Sequence, residues 1–270
     1  MKPRRGRRAG PPRQAGAERP STDGIRLIPI RTLPEVRRGA DLAALLVRAA
    51  ARERVEFARG DVLVVAQKIV SKAEGRTVRL ASVTPSALAR EWAPRLGQDP
   101  RLTEVVLRES RRVVRMSERV LIVETHHGFV CANAGVDRSN VPGTNVTCLP
   151  VDPDASAWRI AEGVRWRTGI APAVIVSDTF GRPWRLGLMN VAIGAWGVRV
   201  LEDLRGTRDA LGHPLRATIL AVADELAAAA GLLMGKTANV PAVIVRGFRY
   251  RPARDTAQSL LRPPAEDLFR

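Results

Sequence analysis

Two short polar segments carry the residue types that could do chemistry in this chain. The first, Asn133–Asn140, follows an apolar run and contains the carboxylate of Asp137 beside an arginine. The second begins where the apolar run Ala173–Val176 leads into Asp178 and Thr179. Carboxylate and hydroxyl oxygens are the ligands that Mg²⁺ and Mn²⁺ prefer, and an arginine suits an anionic ligand. The two segments therefore indicate metal-assisted chemistry on a phosphate compound.

A pair of lysines suggests a further part of the same site. The chain contains Lys2, Lys68, Lys72 and Lys236 as its only lysines, whereas arginine is abundant. Lys68 and Lys72 directly follow the predicted strand Asp61–Ala66. Because lysine is so scarce, a pair at a strand end indicates phosphate binding, although a solvated loop explains the pair equally well.

The elements that must position these residues are predicted to form an α+β fold with mixed sheets and packed helices. Strands are predicted at Ile25–Ile30, Asp61–Ala66, Val120–Thr125, Phe129–Ala132, Ala173–Val176, Thr218–Val222 and Pro241–Arg246. Helices are predicted after Asp41, over Pro85–Leu96, Asp99–Val114 and Ala223–Met234, and from within Pro150–Ser156 to about Thr168. We expect the strand from Ala173 to stop at Asp178–Thr179 and to turn through Gly181 and Pro183. The residues from Pro252 are expected to form a loose terminal helix.

Three other motifs have simpler structural interpretations. Gly235–Thr237 resembles the end of a phosphate-binding P-loop, but Ala230 stands where that motif requires glycine, and the preceding segment is predicted to be helical. His126–His127 is an adjacent pair in a predicted hairpin turn, so the two rings point apart and we expect no metal there. Asp224–Glu225 lies in the first turn of a predicted helix, where acidic residues interact with the helix dipole.

Composition narrows the class of protein. At 270 residues, with 45% hydrophobic and 26% charged residues, the chain is long enough to bury a substantial core. No apolar run reaches the roughly 18 residues of a membrane span, and the basic N-terminus lacks the apolar stretch of a secretory signal. We therefore expect a cytoplasmic protein in which Cys131 and Cys148 are reduced and buried.

The net charge of +17 comes almost wholly from arginine. Residues 1–24 form a basic segment rich in proline and glycine, and we expect this tail to be disordered. The remaining charge suits anionic ligands, yet it leaves open a basic nucleic-acid-binding protein as an alternative function. A metal-dependent phosphohydrolase is a second alternative, because the same oxygen ligands would serve it.

Taken together, several longer segments closely resemble the coenzyme F420:L-glutamate ligase family, the γ-glutamyl ligases that complete a deazaflavin coenzyme. The resemblance covers nearly everything from about residue 25 to about residue 250, in order. The matching segments are Leu33–Val36, Gly60–Arg76, Asn133–Asn140, Leu149–Ser156, Val176–Arg182, Ala221–Glu225, Met234–Lys236 and Pro241–Gly247.

The resemblance implies an enzyme whose intertwined, two-lobed α+β subunits form a homodimer. The implied reaction is the GTP-dependent addition of L-glutamate to the lactyl carboxylate of the glutamate-free coenzyme through an acyl phosphate. A second glutamate can then be added through a γ-linkage. Mg²⁺ or Mn²⁺ is implied as the cofactor, with K⁺ as a further ion, and neither a membrane nor a specific nucleic acid is an implied partner.

Matching motifs also imply residue roles. Asp137, Asp178 and Thr179 match metal ligands of the family. Lys72 and Arg182 are the candidates for offsetting charge on the transferred phosphoryl group, and no residue stands out as a general base. The positions that match the GTP site are Leu33, Pro34, Glu35, Val36, Gln67, Lys68, Lys72, Asn140, Met234, Gly235, Lys236, Thr237, Ala238, Asn239 and Val240.

The same family pattern divides the chain and marks two departures. Residues 25–250 are expected to form the ligase domain, and residues 251–270 a C-terminal tail or short helix. Lys236 stands where some family members place an acidic or amide metal ligand, and Leu188–Asn190 replaces a more polar run of bacterial relatives.

Overall fold

The computed structural model describes residues 24–139, 143–235 and 237–267. The predicted disorder of residues 1–23, and the predicted nucleotide-binding residues Asn140 and Lys236, lie outside the described residues. The strands are β1 (Arg26–Ile30), β2 (Val62–Ala66), β3 (Thr77–Arg79), β4 (Ser110–Ser117), β5 (Val120–Thr125), β6 (Val130–Ala132), β7 (Asn145–Thr147), β8 (Ala173–Arg182), β9 (Arg185–Trp196), β10 (Glu202–Asp203), β11 (Ile219–Leu220) and β12 (Ala242–Arg246). The helices are α1 (Leu42–Arg52), α2 (Gln67–Ala73), α3 (Ala87–Leu96), α4 (Pro100–Arg108), α5 (Pro153–Thr168) and α6 (Val222–Met234). This mixture of helices and sheets is consistent with the predicted α+β class.

A five-stranded sheet in the order β1-β12-β2-β8-β9 forms the centre of the structure. β2 and β8 are parallel, whereas the other neighbouring pairs of this sheet are antiparallel. Ala66, the last residue of β2, lies opposite Ser177 in β8. Because parallel strands run in the same direction, the residues that follow Ala66 and Ser177 emerge at the same edge of the sheet.

Helices cover both faces of this central sheet. Leu63 and Val65 of β2 pack in one apolar cluster with α1 and α5, while Val62 and Val64 pack in a second cluster with α6. All four side chains are 0% exposed. Side chains alternate between the two faces of a strand, so a strand covered on both faces is a continuous apolar run. This is why β2 and β8 could be predicted from sequence.

Aspartate side chains fix the starts of α1 and α5. Asp41 accepts a hydrogen bond from the N–H of Ala44 at 2.9 Å and begins α1. Asp152 begins α5 in the same way, with the N–H of Ala155 at 2.9 Å. These side chains satisfy N–H groups that have no partner inside the helix.

One of the smaller sheets, β4-β5-β6, corrects a predicted helix. The predicted helix Asp99–Val114 is wrong beyond Arg108, because Ser110–Ser117 forms β4 and pairs with β5. Arg112 of β4 is 2.8 Å from Glu124 of β5, and Val113 packs with the apolar residues behind the hairpin. Cross-strand pairing of β-branched and oppositely charged residues overrides the helical spacing here.

The site segments also differ from their predicted secondary structure. The strand that begins at Ala173 does not stop at Asp178–Thr179 but continues to Arg182 and turns at Pro183–Trp184. The segment after β2 is helix α2, so the solvated-loop interpretation of its lysines is wrong. The loose C-terminal helix is reduced to short 3₁₀ turns at Ala257–Leu260 and Pro264–Glu266. Across the described ranges, no helix is both long and apolar enough to cross a bilayer.

A prediction concerns Gly194 of β9, where α5 approaches the sheet. A Cβ atom at this position would overlap the backbone carbonyl of Pro153, so Gly194→Ala forces two backbone segments apart. We expect a loss of about 3 kcal/mol in the free energy of unfolding, measured by urea denaturation. Gly181→Ala is the matched control, because its nearest new contact is an ordinary 3.9 Å to Leu188. Equal stability of the two variants would contradict the close approach.

Candidate active site

A cleft of about 610 Å³ lies where β2 ends, beside Ser177–Thr179 in the middle of β8. Its walls come from the segment before α1, the start of α2, Asp137, the facing parts of β8 and β9, the end of α6 and the segment before β12. The lining residues are Arg31, Leu33, Pro34, Glu35, Val36, Ala66, Gln67, Lys68, Ile69, Lys72, Asp137, Ser177, Asp178, Thr179, Asn190, Met234, Gly235, Asn239, Val240 and Pro241.

Helix α2 presents both predicted lysines to this cleft. The helix begins directly after β2, so its first turn lies at the sheet edge. Lys68 and Lys72 are four residues apart and therefore lie on the same face of the helix. Gln67 is buried and accepts a hydrogen bond from the Ser71 hydroxyl at 2.8 Å, which fixes the inward face. The lysine side chains remain only 17% and 12% exposed, respectively.

Lys68 forms an ion pair with the first predicted metal ligand. Its Nζ atom lies 2.8 Å from Asp137 Oδ2 and 2.5 Å from the Ser139 hydroxyl. Ser139 also donates its N–H and its hydroxyl to the two Asp137 oxygens, at 2.7 and 2.8 Å. Burial opposes ionisation of Asp137, but the hydrogen bonds from Lys68 and Ser139 outweigh burial and lower the pKa of this carboxyl. Asp137 is therefore held as a carboxylate.

β8 contributes the second predicted metal ligand and the threonine beside it. Asp178 and Thr179 lie opposite Val191 and Asn190 of β9. The Thr179 hydroxyl is 3.2 Å from Asn190 Oδ1, and Asn190 in turn contacts Met234 Sδ at 3.4 Å. The Thr179 hydroxyl of β8 is thereby linked, through the Asn190 side chain, to Met234 at the end of α6.

Cys131 lies close behind Asp178 but does not add a thiolate to the site. Burial, together with the charge of Asp178, raises the pKa of the Cys131 thiol to about 12. A thiol with this pKa stays protonated at neutral pH and is not a nucleophile. Burial likewise raises the pKa of Cys148 to about 12, which agrees with the predicted buried, reduced pair.

The carboxylate of Glu53 holds the segment before α1, which forms another wall of the cleft. Glu53 Oε1 accepts hydrogen bonds from the N–H of Arg31 at 2.5 Å, the N–H of Thr32 at 2.9 Å and the Thr32 hydroxyl at 3.1 Å. Glu53 is the C-cap residue of α1, so the segment that begins at Arg31 is fixed to the end of this helix. Further along the same segment, Glu35 forms an ion pair with Lys72 at 2.6 Å.

The structure brings most of the predicted site residues together. Leu33–Val36, Gln67, Lys68, Lys72, Met234, Gly235, Asn239, Val240, Asp137, Asp178 and Thr179 all line the cleft. Thr237 and Ala238 are described but are not among its lining residues. Arg182 is also absent from the lining, and donates instead to the carbonyl oxygen of Leu186 in the β8–β9 hairpin at 2.9 Å.

Sequence reasoning missed six lining residues, namely Arg31, Ala66, Ile69, Ser177, Asn190 and Pro241. Ala66, Ile69, Ser177 and Pro241 adjoin predicted site residues, so strand ends gave a usable signal for them. Asn190 had no such signal, because its place depends on its pairing with β8. His126 and His127 are not among the lining residues: their Nε2 atoms contact the carbonyl oxygens of Arg108 and Pro150, at 2.9 and 2.8 Å.

Comparison with known proteins identifies the family. Residues 30–247 match the model of the F420-0:Gamma-glutamyl ligase family. The chain belongs to this family. It is 45% identical over 250 residues to the coenzyme F420:L-glutamate ligase of Methanothermobacter thermautotrophicus, covering 92% of this chain and 99% of that protein. It is also 45% identical over 251 residues to the protein of the same name from Methanopyrus kandleri, covering 91% and 98% of the two chains.

A third relative extends the likeness to a more distant archaeal protein. The coenzyme F420:L-glutamate ligase of Methanocaldococcus jannaschii is 40% identical over 212 residues, which cover 78% of this chain and 85% of that protein. The family match therefore includes every described residue of the cleft, from Arg31 to Pro241.

The donor set of this family member fits a hard divalent cation. Asp137 and Asp178 carry carboxylate oxygens and Thr179 a hydroxyl, and all three residues line the same cleft. Within the described residues no group of three or more His, Cys, Asp and Glu side chains gathers to hold a metal. Mg²⁺ does not need one, because it is held by one or two carboxylates together with water and substrate phosphates. The three hydrogen bonds to Asp137 leave about one of its roughly four acceptor positions for a metal.

A prediction follows from the Glu53 contacts in this ligase. Glu53→Ala removes all three hydrogen bonds to Arg31 and Thr32 and frees the cleft wall at Leu33–Val36. We expect the affinity for a fluorescent analogue of GTP, the nucleotide that the family resemblance implies, to fall by about tenfold, the equivalent of about 1.4 kcal/mol.

Glu53→Gln tests whether the acceptor or the charge matters. The glutamine side-chain oxygen can accept the same hydrogen bonds, so this variant should bind the analogue within about twofold of wild type. Glu162→Ala is the control, since Glu162 pairs with Arg165 on the surface of α5. Equal affinity of Glu53→Ala and the control would show that Glu53 does not hold the wall.

Proposed function

We propose that the protein is a GTP-dependent ligase that joins L-glutamate to the lactyl carboxylate of glutamate-free coenzyme F420 and releases GDP and phosphate. A second, γ-linked glutamate is a further product of the same chemistry. Family membership supports the ligase reaction and the two substrates. GTP, the metal and the intermediate are proposed from the cleft and from the family resemblance of its residues.

One observation carries the proposal. The parallel pairing of β2 and β8 places Lys68, Lys72 and Asp178 around one cleft, and Asp137, from the segment between β6 and β7, lines the same cleft. The cleft volume of about 610 Å³ lies within the range of small-molecule sites. Ammonium groups suit phosphate oxygens, and aspartates suit the cation that accompanies a nucleoside triphosphate. This combination of charges supports a triphosphate with a divalent cation as the ligand.

The proposed chemistry begins with activation of the acceptor, because a free carboxylate does not react with an amine at neutral pH. A carboxylate oxygen of the coenzyme attacks the γ-phosphorus of GTP, the bond to the β-phosphate oxygen breaks, and GDP leaves. The glutamate amine then attacks the acyl carbon of the acyl phosphate and phosphate leaves, forming the amide. The amine proton passes to solvent.

The chain's own residues position and neutralise the charged groups in this sequence. Lys68 and Lys72 would bind phosphate oxygens, each already oriented by a carboxylate, Asp137 and Glu35 respectively. Of the two charge-stabilising candidates, Lys72 is favoured over Arg182 because only Lys72 lines the cleft. Mg²⁺ or Mn²⁺ held by Asp137, Asp178 and Thr179 would offset charge on the β- and γ-phosphates, with K⁺ as a further ion.

A homodimer is also part of the proposal. Three large apolar side chains of the β8–β9 hairpin are exposed, namely Trp184 at 80%, Leu186 at 98% and Leu188 at 63%. β9 is an edge strand of the central sheet. Exposed apolar residues beside a sheet edge are typical of surfaces that bind another chain. A second copy, as the family resemblance implies, is the proposed occupant.

The testing experiment mixes purified protein with GTP, Mn²⁺, L-glutamate and glutamate-free coenzyme F420, and measures product mass. We expect one or more glutamate additions that require GTP and the metal together. Full turnover with ATP and no divalent metal would contradict the nucleotide and metal assignments. Phosphate release that does not need glutamate would instead indicate a phosphohydrolase.

Asp178→Asn in the same assay tests the metal assignment. The substitution keeps the shape of the side chain but removes the charge, so turnover should fall by about a hundredfold or more. The increase in melting temperature on adding GTP and Mn²⁺ should shrink, because a ligand stabilises only as far as it binds. A wild-type rate with an unchanged melting shift would remove Asp178 from the site.

A further inference from the structure

Strand β9 contains an irregularity directly beside the site. Val176 of β8 pairs with Gly194, but the next residue, Ser177, pairs with Ala192. Ile193 is therefore one extra residue on β9, which is the definition of a β-bulge. Its side chain is 0% exposed and packs in the cluster that contains α1 and α5. On the neighbouring strand β8, the residues opposite the two sides of the bulge are Val176 and Ser177, which immediately precede Asp178 and Thr179.

The bulge decides which face of the sheet Asn190 occupies. With it, Asn190 lies opposite Thr179. Without the extra residue, regular antiparallel pairing would place Asn190 opposite Phe180, since every partner beyond Val176 would move by one position. A shift of one residue turns each side chain to the other face of the sheet. The contact of Asn190 with Thr179, and its contact with Met234 of α6, therefore depend on the bulge.

A carboxylate from α6 holds the backbone at this bulge. Asp224 Oδ1 accepts a hydrogen bond from the N–H of Ala192 at 2.8 Å. Asp224 is half-buried, and burial raises the pKa of its carboxyl. The neighbouring Glu225 is exposed. The interpretation of both acids as helix-dipole partners is therefore incomplete, because Asp224 makes a specific tertiary contact.

The far end of α6 contacts the same part of the sheet. Met234 Sδ lies 3.4 Å from Asn190 Nδ2 and 3.9 Å from the Ser177 hydroxyl. Between the two ends, Gly231 lets the Asn190 side chain lie against the helix, since a Cβ there would meet Asn190 Cγ at 3.0 Å. Helix α6 is thus fixed to β9 at its first turn and at its last turn.

We propose that Asp224 is a positioning residue of this ligase, which fixes the β9 bulge and thereby places Asn190 beside Thr179 at the metal–nucleotide cleft. This role rests on the proposed function, because Asn190 contacts Thr179, which is assigned to the metal. Bulges next to active sites commonly set the direction of a side chain. Asp154 of α5 makes a comparable contact on the other side of the bulge. It accepts the Ala195 N–H at 2.7 Å, but Ala195 lies on the side of the bulge away from the cleft.

The test compares Asp224→Ala, Asp224→Asn and Glu225→Ala by glutamylation kinetics and by hydrogen exchange of peptides from β9 and β12. Asp224→Ala should lower kcat by about a hundredfold, as expected for displacement of site groups by on the order of 1 Å. Exchange should rise in β9 around the bulge and stay unchanged in β12. Asp224→Asn keeps an acceptor oxygen and should restore both readouts. Glu225→Ala removes a first-turn charge only and should match wild type.

Each other outcome has a definite meaning. The proposal would be overturned if Asp224→Ala kept the wild-type kcat and the wild-type hydrogen exchange in β9. It would also be overturned if Asp224→Asn were as impaired as Asp224→Ala, because that result would assign the effect to the charge of Asp224. If Asp224→Ala does not fold, Asp224→Glu takes its place with the same expected loss, because its carboxylate is displaced. If wild-type protein shows no glutamylation, the proposed function fails, while the exchange comparison still tests the link between Asp224 and the bulge.

Discussion

The parallel pairing of β2 with β8 is the constraint on which the rest of the site depends. It brings the end of one strand, Ala66, opposite Ser177 of the other. Lys68 and Lys72 follow the first strand, and Asp178 follows Ser177. Residues more than a hundred positions apart in the chain, such as Lys72 and Asp178, therefore meet at one edge of the sheet. The apolar runs that drive the two strands into the core position the polar residues that follow them.

Ion pairs then set the orientation of the charged groups at that edge. Lys68 pairs with Asp137, and Lys72 pairs with Glu35. Glu35 is 63% exposed, so its pair with Lys72 contributes little to stability. The Lys68–Asp137 pair is more buried and is supported by Ser139. Both pairs hold lysine ammonium groups at the cleft, which favours anionic ligands and explains why α2 is not a solvated segment.

Much of this arrangement could be predicted from the sequence, for a physical reason. Buried strands are apolar runs, so the polar residues Lys68, Asp137 and Asp178, which come after such runs, could be selected from the sequence. The helix predicted over Asp99–Val114 failed because the change from helical to strand pairing after Arg108 depends on β5, a partner later in the chain.

The parts that could not be predicted depend on register and tertiary hydrogen bonds. Asn190 reaches the cleft only because of the extra residue Ile193, and a bulge leaves no mark in hydrophobic periodicity. Glu53 follows the last residue of α1 and Asp224 lies in the first turn of α6, and each accepts hydrogen bonds from backbone N–H groups of another part of the chain. Arg182 matches a family motif, but its place in the β8–β9 hairpin keeps it out of the cleft lining.

The most direct test of the central claim is a crystal structure with Mn²⁺ and a non-hydrolysable GTP analogue, with the metal located by its anomalous scattering. The claim is that the edge formed by β2 and β8 binds a metal–nucleotide complex. We predict an anomalous peak within coordination distance of Asp137 and Asp178, at about 2.2 Å from carboxylate oxygens. The phosphates should lie against Lys68 and Lys72. A metal and nucleotide bound elsewhere, with this cleft filled only by solvent, would contradict the account.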